Sequence, residues 1–588
     1  MENESGESSL VRTKRKDKLP KQPFNNIAIS LSGGGFRATA FHLGVLAYLS
    51  TKKWDNVTLL ERTRILSTVS AGTFTGIKYV STIKKGGTIQ DCYKSLYDFM
   101  TKCDLVAEAL QYLSEDEHWH EGRQRTLINA FASIYHRDFE SEYFGLLWDE
   151  STSIHLKEIS FNATEFNFSL PFRFQKSERP KHKGGSTHEF IGNRKIHIPI
   201  DIAKEIRLSD IIAATSCFPF GFEPINFPDD FIHHEAVKLK DKSLLPYNVY
   251  DGDKIEYPIG LMDGAIDDNQ GVDAVVVAEE RMKQYPEELK QFCSEDEKTV
   301  DLYIISDVSP PDMESYIRSN TDQIPLVGKW NFDSLKRYGI FSVCLGVACI
   351  ALAFLVPAKT AVIGLSIFGT IDIFVALILL IFSMGITGLT RKFGVPDFVV
   401  RRLLHFDKLK FGTLYNMFVN RRKSAAKLIT DVFIKQMKWF SFERVYGDPA
   451  WKPRLVLNAT RKLTASEVEK RRRKYPDLSA ALKEPGEKIM ETAAKAMSMG
   501  TTLWFTTEEL GGDNNMPDTL IACGQFTICF NTLEYIERHL KNKKYQQDYD
   551  KYTARTKRAI DQLQASLMED WKKFKEDPYW QVKEWNGE

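Results

Sequence analysis

The hydrophobic positions of this chain fall into three patterns, and each predicts a different kind of element. The first is a short apolar strand feeding a turn of small residues and then a helix. Ile27-Ala28-Ile29-Ser30-Leu31 reads as such a strand. It runs into Ser32-Gly33-Gly34-Gly35-Phe36-Arg37 and then a helix over 38–49, with Phe41, Val45 and Tyr48 apolar. Ile65 to Gly76 repeats the order, with Ser70 at the turn. The second pattern is unbroken apolarity. Residues 339–356 carry no charge, Pro357-Ala358-Lys359-Thr360 interrupts, and 361–389 carries only Asp372. As a helix the first run is about 27 Å long, close to the ~30 Å hydrocarbon core of a bilayer. The third is amphipathic: Ile560, Leu563, Leu567, Trp571 and Phe574 recur at three- and four-residue spacing among charges, which predicts a helix docked on its own domain or, as the alternative, on a partner or membrane surface. Residues 393–545 mix basic helix-like stretches with short apolar runs. Leu455-Val456-Leu457 is one; Leu520–Cys523 and Phe526–Phe530 read as late strands or buried helix starts.

The flanks of the apolar pair decide how it is read. Lys336 and Arg337 precede it, Arg391, Lys392, Arg401 and Arg402 follow it, and only Lys359 lies in the connecting turn. The positive-inside rule then makes the pair a transmembrane hairpin with both outer ends cytosolic. The competing reading is a buried hairpin of a large soluble domain. Asp372 is either a functional intramembrane charge or a group paired within the hairpin.

Composition narrows the class. Lys and Arg number 79 against 78 Asp and Glu over 588 residues, which argues against a nucleic-acid binder. Eight cysteines without CxxC spacing suggest neither a zinc ribbon nor a disulfide framework. Residues 1–23 are polar and carry Arg12, Lys14, Arg15, Lys16, Lys18 and Lys21 without an apolar core, so the expectation is an intracellular chain with a flexible basic tail, solvated or drawn to anionic lipid. His118-Trp119-His120, the basic loop 177–188 and His233-His234-Glu235 are read as structural or solvated, and no metal or cofactor is expected.

Two stretches carry candidate chemistry. Ser70, pushed out of the strand line before Gly72, has the geometry of a nucleophile elbow in the form T-x-S-x-G, with Thr68 where glycine is usual. Gly33-Gly34-Gly35 after a strand can converge backbone N–H groups on an anion. A nucleotide phosphate fits poorly, since neither a P-loop nor GxGxxG is completed. A reaction oxyanion fits, because the serine elbow follows within one strand–helix–strand unit.

These motifs, with Phe41-His42-Leu43-Gly44-Val45-Leu46, resemble the patatin-like phospholipase family, related to the cytosolic phospholipase A2 catalytic domain. Ala213 to Pro224 and Leu261-Met262-Asp263-Gly264-Ala265 through Gly271 continue the resemblance, clear over about 24–310. It is looser over 405–530, at Phe411-Gly412-Thr413-Leu414 and Gly500-Thr501-Thr502-Leu503-Trp504. The resemblance implies an α/β sandwich with a central, mostly parallel sheet flanked by helices, here with an inserted two-helix hairpin. It implies a Ser–Asp dyad of Ser70 and Asp263 acting on phospholipid or lysophospholipid esters, with Gly33, Gly34 and Gly35 as oxyanion hole and Arg37, Gly72 and Gly264 in support. The expected organisation is a tail (1–23), a catalytic domain (24–330), the hairpin and its flanks (331–392), a segment completing the catalytic domain (393–545) and the amphipathic helix (546–588). A lipid transacylase using the same dyad, or an inactive lipid-binding scaffold, stays open, as does the oligomeric state.

Overall fold

The computed structural model describes residues 18–119, 123–177, 190–219, 221–234, 236–245, 257–283, 298–309, 326–357, 359–392, 409–512 and 515–587. Arg12, Lys14, Arg15, Lys16, His120, loop 178–188, Glu235, Arg401 and Arg402 lie outside the described residues. The chain divides into two units: residues 1–313 together with 431–588, and residues 314–430.

The first unit is built on one sheet of ten described strands. In chain order the strands are β1 (Ile27–Leu31), β4 (Thr63–Val69), β5 (Glu158–Glu165), β6 (Leu170–Ser177), β7 (Phe190–Gly192), β8 (His197–Pro199), β9 (Ile225–Phe227), β10 (Ile259–Asp263), β11 (Leu302–Asp307) and β12 (Leu455–Ala459), while β2 (Lys53–Trp54) and β3 (Val57–Thr58) form a separate small hairpin. The order is β12-β11-β1-β4-β5-β6-β7-β8. The run from β12 to β5 is wholly parallel, and its strands are largely buried on both faces because helices cover both. From β5 to β8 the pairing is antiparallel. The central sheet, flanked by helices, is the α/β arrangement expected.

Helix α1 (Gly35–Thr51) follows β1 and starts inside the glycine loop, three residues earlier than its apolar spacing suggests. Helix α2 (Gly72–Lys84) follows β4. The two apolar runs at 520–530 are neither strands nor separate pieces. They are one helix, Met516–Tyr535, buried along almost its whole length. A helix surrounded by protein shows no polar face, so its pattern cannot be told from that of a buried strand. It packs against α1 so closely that a Cβ at Gly44 would sit 2.1 Å from the Ile521 carbonyl oxygen, and one at Gly524 2.1 Å from that of Phe41. The tail helix Ala554–Glu576 buries Ile560, Leu563, Leu567, Trp571 and Phe574. Tyr48 Oη donates to Asp570 from α1 (3.0 Å), so the amphipathic helix docks on its own unit.

The second unit contains two apolar helices, Phe332–Ala353 and Lys359–Lys392. Both are long and apolar enough to cross a membrane by length and composition. They meet through small residues: a Cβ at Gly346 would lie 2.7 Å from the Gly369 carbonyl oxygen. Ser342 Oγ donates to Asp372 at 2.5 Å, so Asp372 is paired within the hairpin.

Candidate active site

The register of the sheet brings Ser70 and Asp263 together. β5 is longer than β4. Along one edge of β5, β4 pairs with Glu158–Asn162, ending at Val69 opposite Asn162. β10 runs the opposite way and pairs with the next residues of the same edge, ending at Asp263 opposite Ala163. Two strands therefore meet end to end, and the residue leaving each is a candidate for chemistry. Gly264 sits at this junction, where a Cβ would lie 2.3 Å from the Asn162 carbonyl oxygen.

Ser70 takes φ +51°, a conformation costly for a residue with a side chain. The neighbouring helix start presses against β1. A Cβ at Gly72 would stand 2.5 Å from the Leu31 carbonyl oxygen, so no larger residue fits there. Thr68, which departs from the usual glycine, is accommodated because Gly76 opposite it has no side chain; a Cβ there would lie 2.4 Å from Thr68 Cγ2. Asn162 Nδ2 donates to the Thr68 carbonyl (2.8 Å) and to Ser67 Oγ (2.9 Å), fixing the strand end below the elbow.

Ser70 Oγ donates to Asp263 Oδ2 at 2.7 Å. The other carboxylate oxygen, Oδ1, accepts from the Ala265 N–H at 2.8 Å. Asp263 is 1% exposed and Ser70 8%. Burial pushes the Asp263 carboxyl up to about 7, against the lowering effect of the hydrogen bonds from Ser70 and Ala265. A carboxyl poised there matches a proton acceptor working near neutral pH.

The glycine loop lies against the serine. A Cβ at Gly33 would come within 2.8 Å of Ser70 Cβ. Its N–H is already donated to the Asn269 carbonyl (3.1 Å), so this amide serves to hold the loop. The N–H groups of Gly34 and Gly35 meet no acceptor among the described residues. Gly34 (φ +146°) and Gly35 (φ +64°) have backbone that favours glycine. The segment after the hairpin covers the loop: Phe36 N–H donates to the Thr502 carbonyl (2.7 Å) and Arg37 Nη1 to that of Met499 (2.7 Å). Arg37 is buried and ties the loop to this segment. Burial lowers its guanidinium pKa, and the Asp307 charge opposes the shift.

Three further side chains support the loop. His42 is fully buried, with Nε2 donating to the Ser32 carbonyl (2.9 Å) and Nδ1 accepting from Ser306 Oγ (2.9 Å). Burial pushes it down to about 4, against the Ser32 carbonyl and Asp307, so it is neutral at pH 7. Asp307, at the end of β11, accepts from Lys438 Nζ (2.5 Å), Ser309 N–H (3.0 Å) and Gln270 Nε2 (3.2 Å). Burial raises the Asp307 carboxyl, but the Lys438 ammonium and its hydrogen bonds outweigh this, and the net shift is downward. His42, Asn269 and Gln270 lie inside the stretches that carry the resemblance. Asp307 and Lys438 carried no sequence signal, being single charged residues 131 positions apart. His233, read from sequence as structural, bonds Asp210 at 2.6 Å.

No curated protein matches the chain. Residues 29–276, which include the end of β1, the glycine loop, Ser70 and Asp263, match the family model described as patatin-like phospholipase, a domain of lipid acyl hydrolases. Residues 29–276 of the chain therefore form a patatin-like phospholipase domain.

Proposed function

We propose that the protein is a membrane-anchored lipid acyl hydrolase of phospholipase A or lysophospholipase type, working through Ser70 and Asp263. The observation that carries this reading is the 2.7 Å hydrogen bond from Ser70 Oγ to a buried carboxyl poised near neutrality. Ser70 Oγ attacks the ester carbonyl while Asp263 takes its proton. The oxyanion is held by the N–H groups of Gly34 and Gly35; one such donor is worth roughly 3 kcal/mol. Gly33 packs beneath the nucleophile and fixes the loop through Asn269. Asp263 returns the proton to the leaving alcohol, and water then cleaves the acyl-enzyme. No metal enters the scheme.

Anchoring is supported by the second unit. The apolar windows of its two helices are only 17% and 11% buried, and an apolar surface of that size in water is an aggregation site. In a bilayer both helices satisfy their own backbone, and the Ser342–Asp372 bond removes the cost of a lone carboxylate in part. The N-terminus, the Ser70 site and the C-terminus then share the cytosolic side. The organisation proposed is the tail, the catalytic domain split around the hairpin, and the docked C-terminal helix.

A fluorophosphonate probe tests the chemistry, since it reacts only with an activated serine. Wild-type protein should be labelled on the peptide that contains Ser70, and Asp263→Asn should lose most of the label. Labelling of a different serine, with Ser70 unmodified, overturns the assignment.

A further inference from the structure

On the open side of β12, away from the Ser70–Asp263 pair, lies a cavity of about 770 Å³. Its walls are the helix Ile434–Tyr446, β12 and the end of the helix Met516–Tyr535. Its charge is one-sided. Lys452, Arg461, Lys462, Lys474 and Arg538 line it, against the carboxylates Glu443 and Glu534. Glu534 is shared among three cations, bonding Lys462 (2.8 Å), Arg538 (3.4 Å) and Arg471 (3.5 Å). Lys452, Arg461 and Lys474 meet no carboxylate among the described residues. Like charges gathered this closely repel, and an anion between them relieves the repulsion.

The cations are also held in place. The Arg538 guanidinium lies 3.5 Å from the Tyr475 ring centroid, and Lys474 Nζ is 5.4 Å from the same ring. Trp439 and Phe442 add apolar wall. The volume exceeds that of a bare phosphate and leaves room for a ring carrying it.

We propose that this cavity is a binding site for a phosphate-bearing anion, a pyrophosphate or phosphomonoester group carried on a molecule the size of a lipid headgroup. Arg461, Lys474 and Lys462 bind the phosphate oxygens, with Arginine forks giving direction and the ammonium groups charge. The group belongs either to a lipid headgroup or to a soluble phosphate. The proposal does not depend on the chemistry assigned to Ser70.

The test uses the full chain as the Ser70→Ala variant in detergent micelles, so that no turnover consumes lipid. Titration with inorganic pyrophosphate, followed by calorimetry, should give saturable binding. Arg461→Gln and Lys474→Gln should each weaken it about tenfold, as expected for loss of a charged hydrogen bond. Lys572→Gln, an exposed charge on the C-terminal helix, should leave it unchanged. A second arm repeats the titration in mixed micelles doped with phosphatidylinositol 4-phosphate. Competition there identifies a lipid headgroup as the source; its absence, with pyrophosphate still bound, identifies a soluble one. Absence of saturable binding in both arms overturns the site. So does binding that Arg461→Gln and Lys474→Gln both leave intact.

Discussion

Burial raises the Asp263 carboxyl to about 7 from an unfolded value near 3.9, so the group titrates across the neutral range. In the mechanism proposed only the ionised form accepts the Ser70 proton, so kcat/KM should rise with pH and reach half its plateau near 7; a profile flat from pH 5 to 9 would show that Asp263 is not the base. The same shift carries a stability consequence of opposite sense. The folded chain holds this proton more tightly than the unfolded one, so the contribution is full below about pH 4 and is lost as pH rises through 7. Asp263→Asn should flatten that part of the Tm-against-pH curve. The glycine loop yields a second expectation. A Cβ at Gly34 would lie 2.4 Å from Val308 Cγ2, on backbone with φ +146°. Gly34→Ala should therefore displace the proposed oxyanion donor and lower kcat about a hundredfold, with KM much less affected. A rise in KM alone would remove the loop from the chemistry. Ser70 and the three glycines stood out in the sequence as small-residue turns after apolar strands, whereas Asp263 was reached only through the resemblance, because it ends a strand with no local signature of its own. The division of labour among the glycines was not legible there. It depends on the Asn269 carbonyl, which nothing local to Gly33 announces.

Elements far apart in sequence hold this site. Lys438, on the first helix of the unit after residue 430, reaches Asp307 at the end of β11, and both side chains are mostly buried. Lys438→Met would leave a buried carboxylate unpaired and should cost about 3–5 kcal/mol, read as a lowered denaturation midpoint. Little change would mean that water replaces the ammonium. The α1 crossing is equally demanding: Gly44→Val would drive a side chain into the backbone of Ile521 and should destabilise the fold by more than 1 kcal/mol. Gly44 stood out in the sequence within Phe41–Leu46, but its partner helix did not, since the apolar stretch Leu520–Phe530 lacks any polar face to give its period. The amphipathic C-terminal helix was readable for the converse reason. Its exposed face is charged and its buried face is not.

Across the whole molecule, one folded unit is assembled from residues on both sides of the apolar helices, with β12 paired in parallel to β11. Deleting 339–389 and joining the ends with a short linker should release the protein from carbonate-washed membranes. It should reduce turnover of bilayer lipid more than of a soluble short-chain ester. Quantitative carbonate release of the intact chain would exclude an integral hairpin. The most direct test of the central claim is lipid mass spectrometry after purified wild type and Ser70→Ala are each incubated with mixed phospholipids. Wild type should release free fatty acid with the matching lysolipid or deacylated product, and Ser70→Ala, folded to the same Tm, should release neither. Equal release by the two proteins would contradict the account.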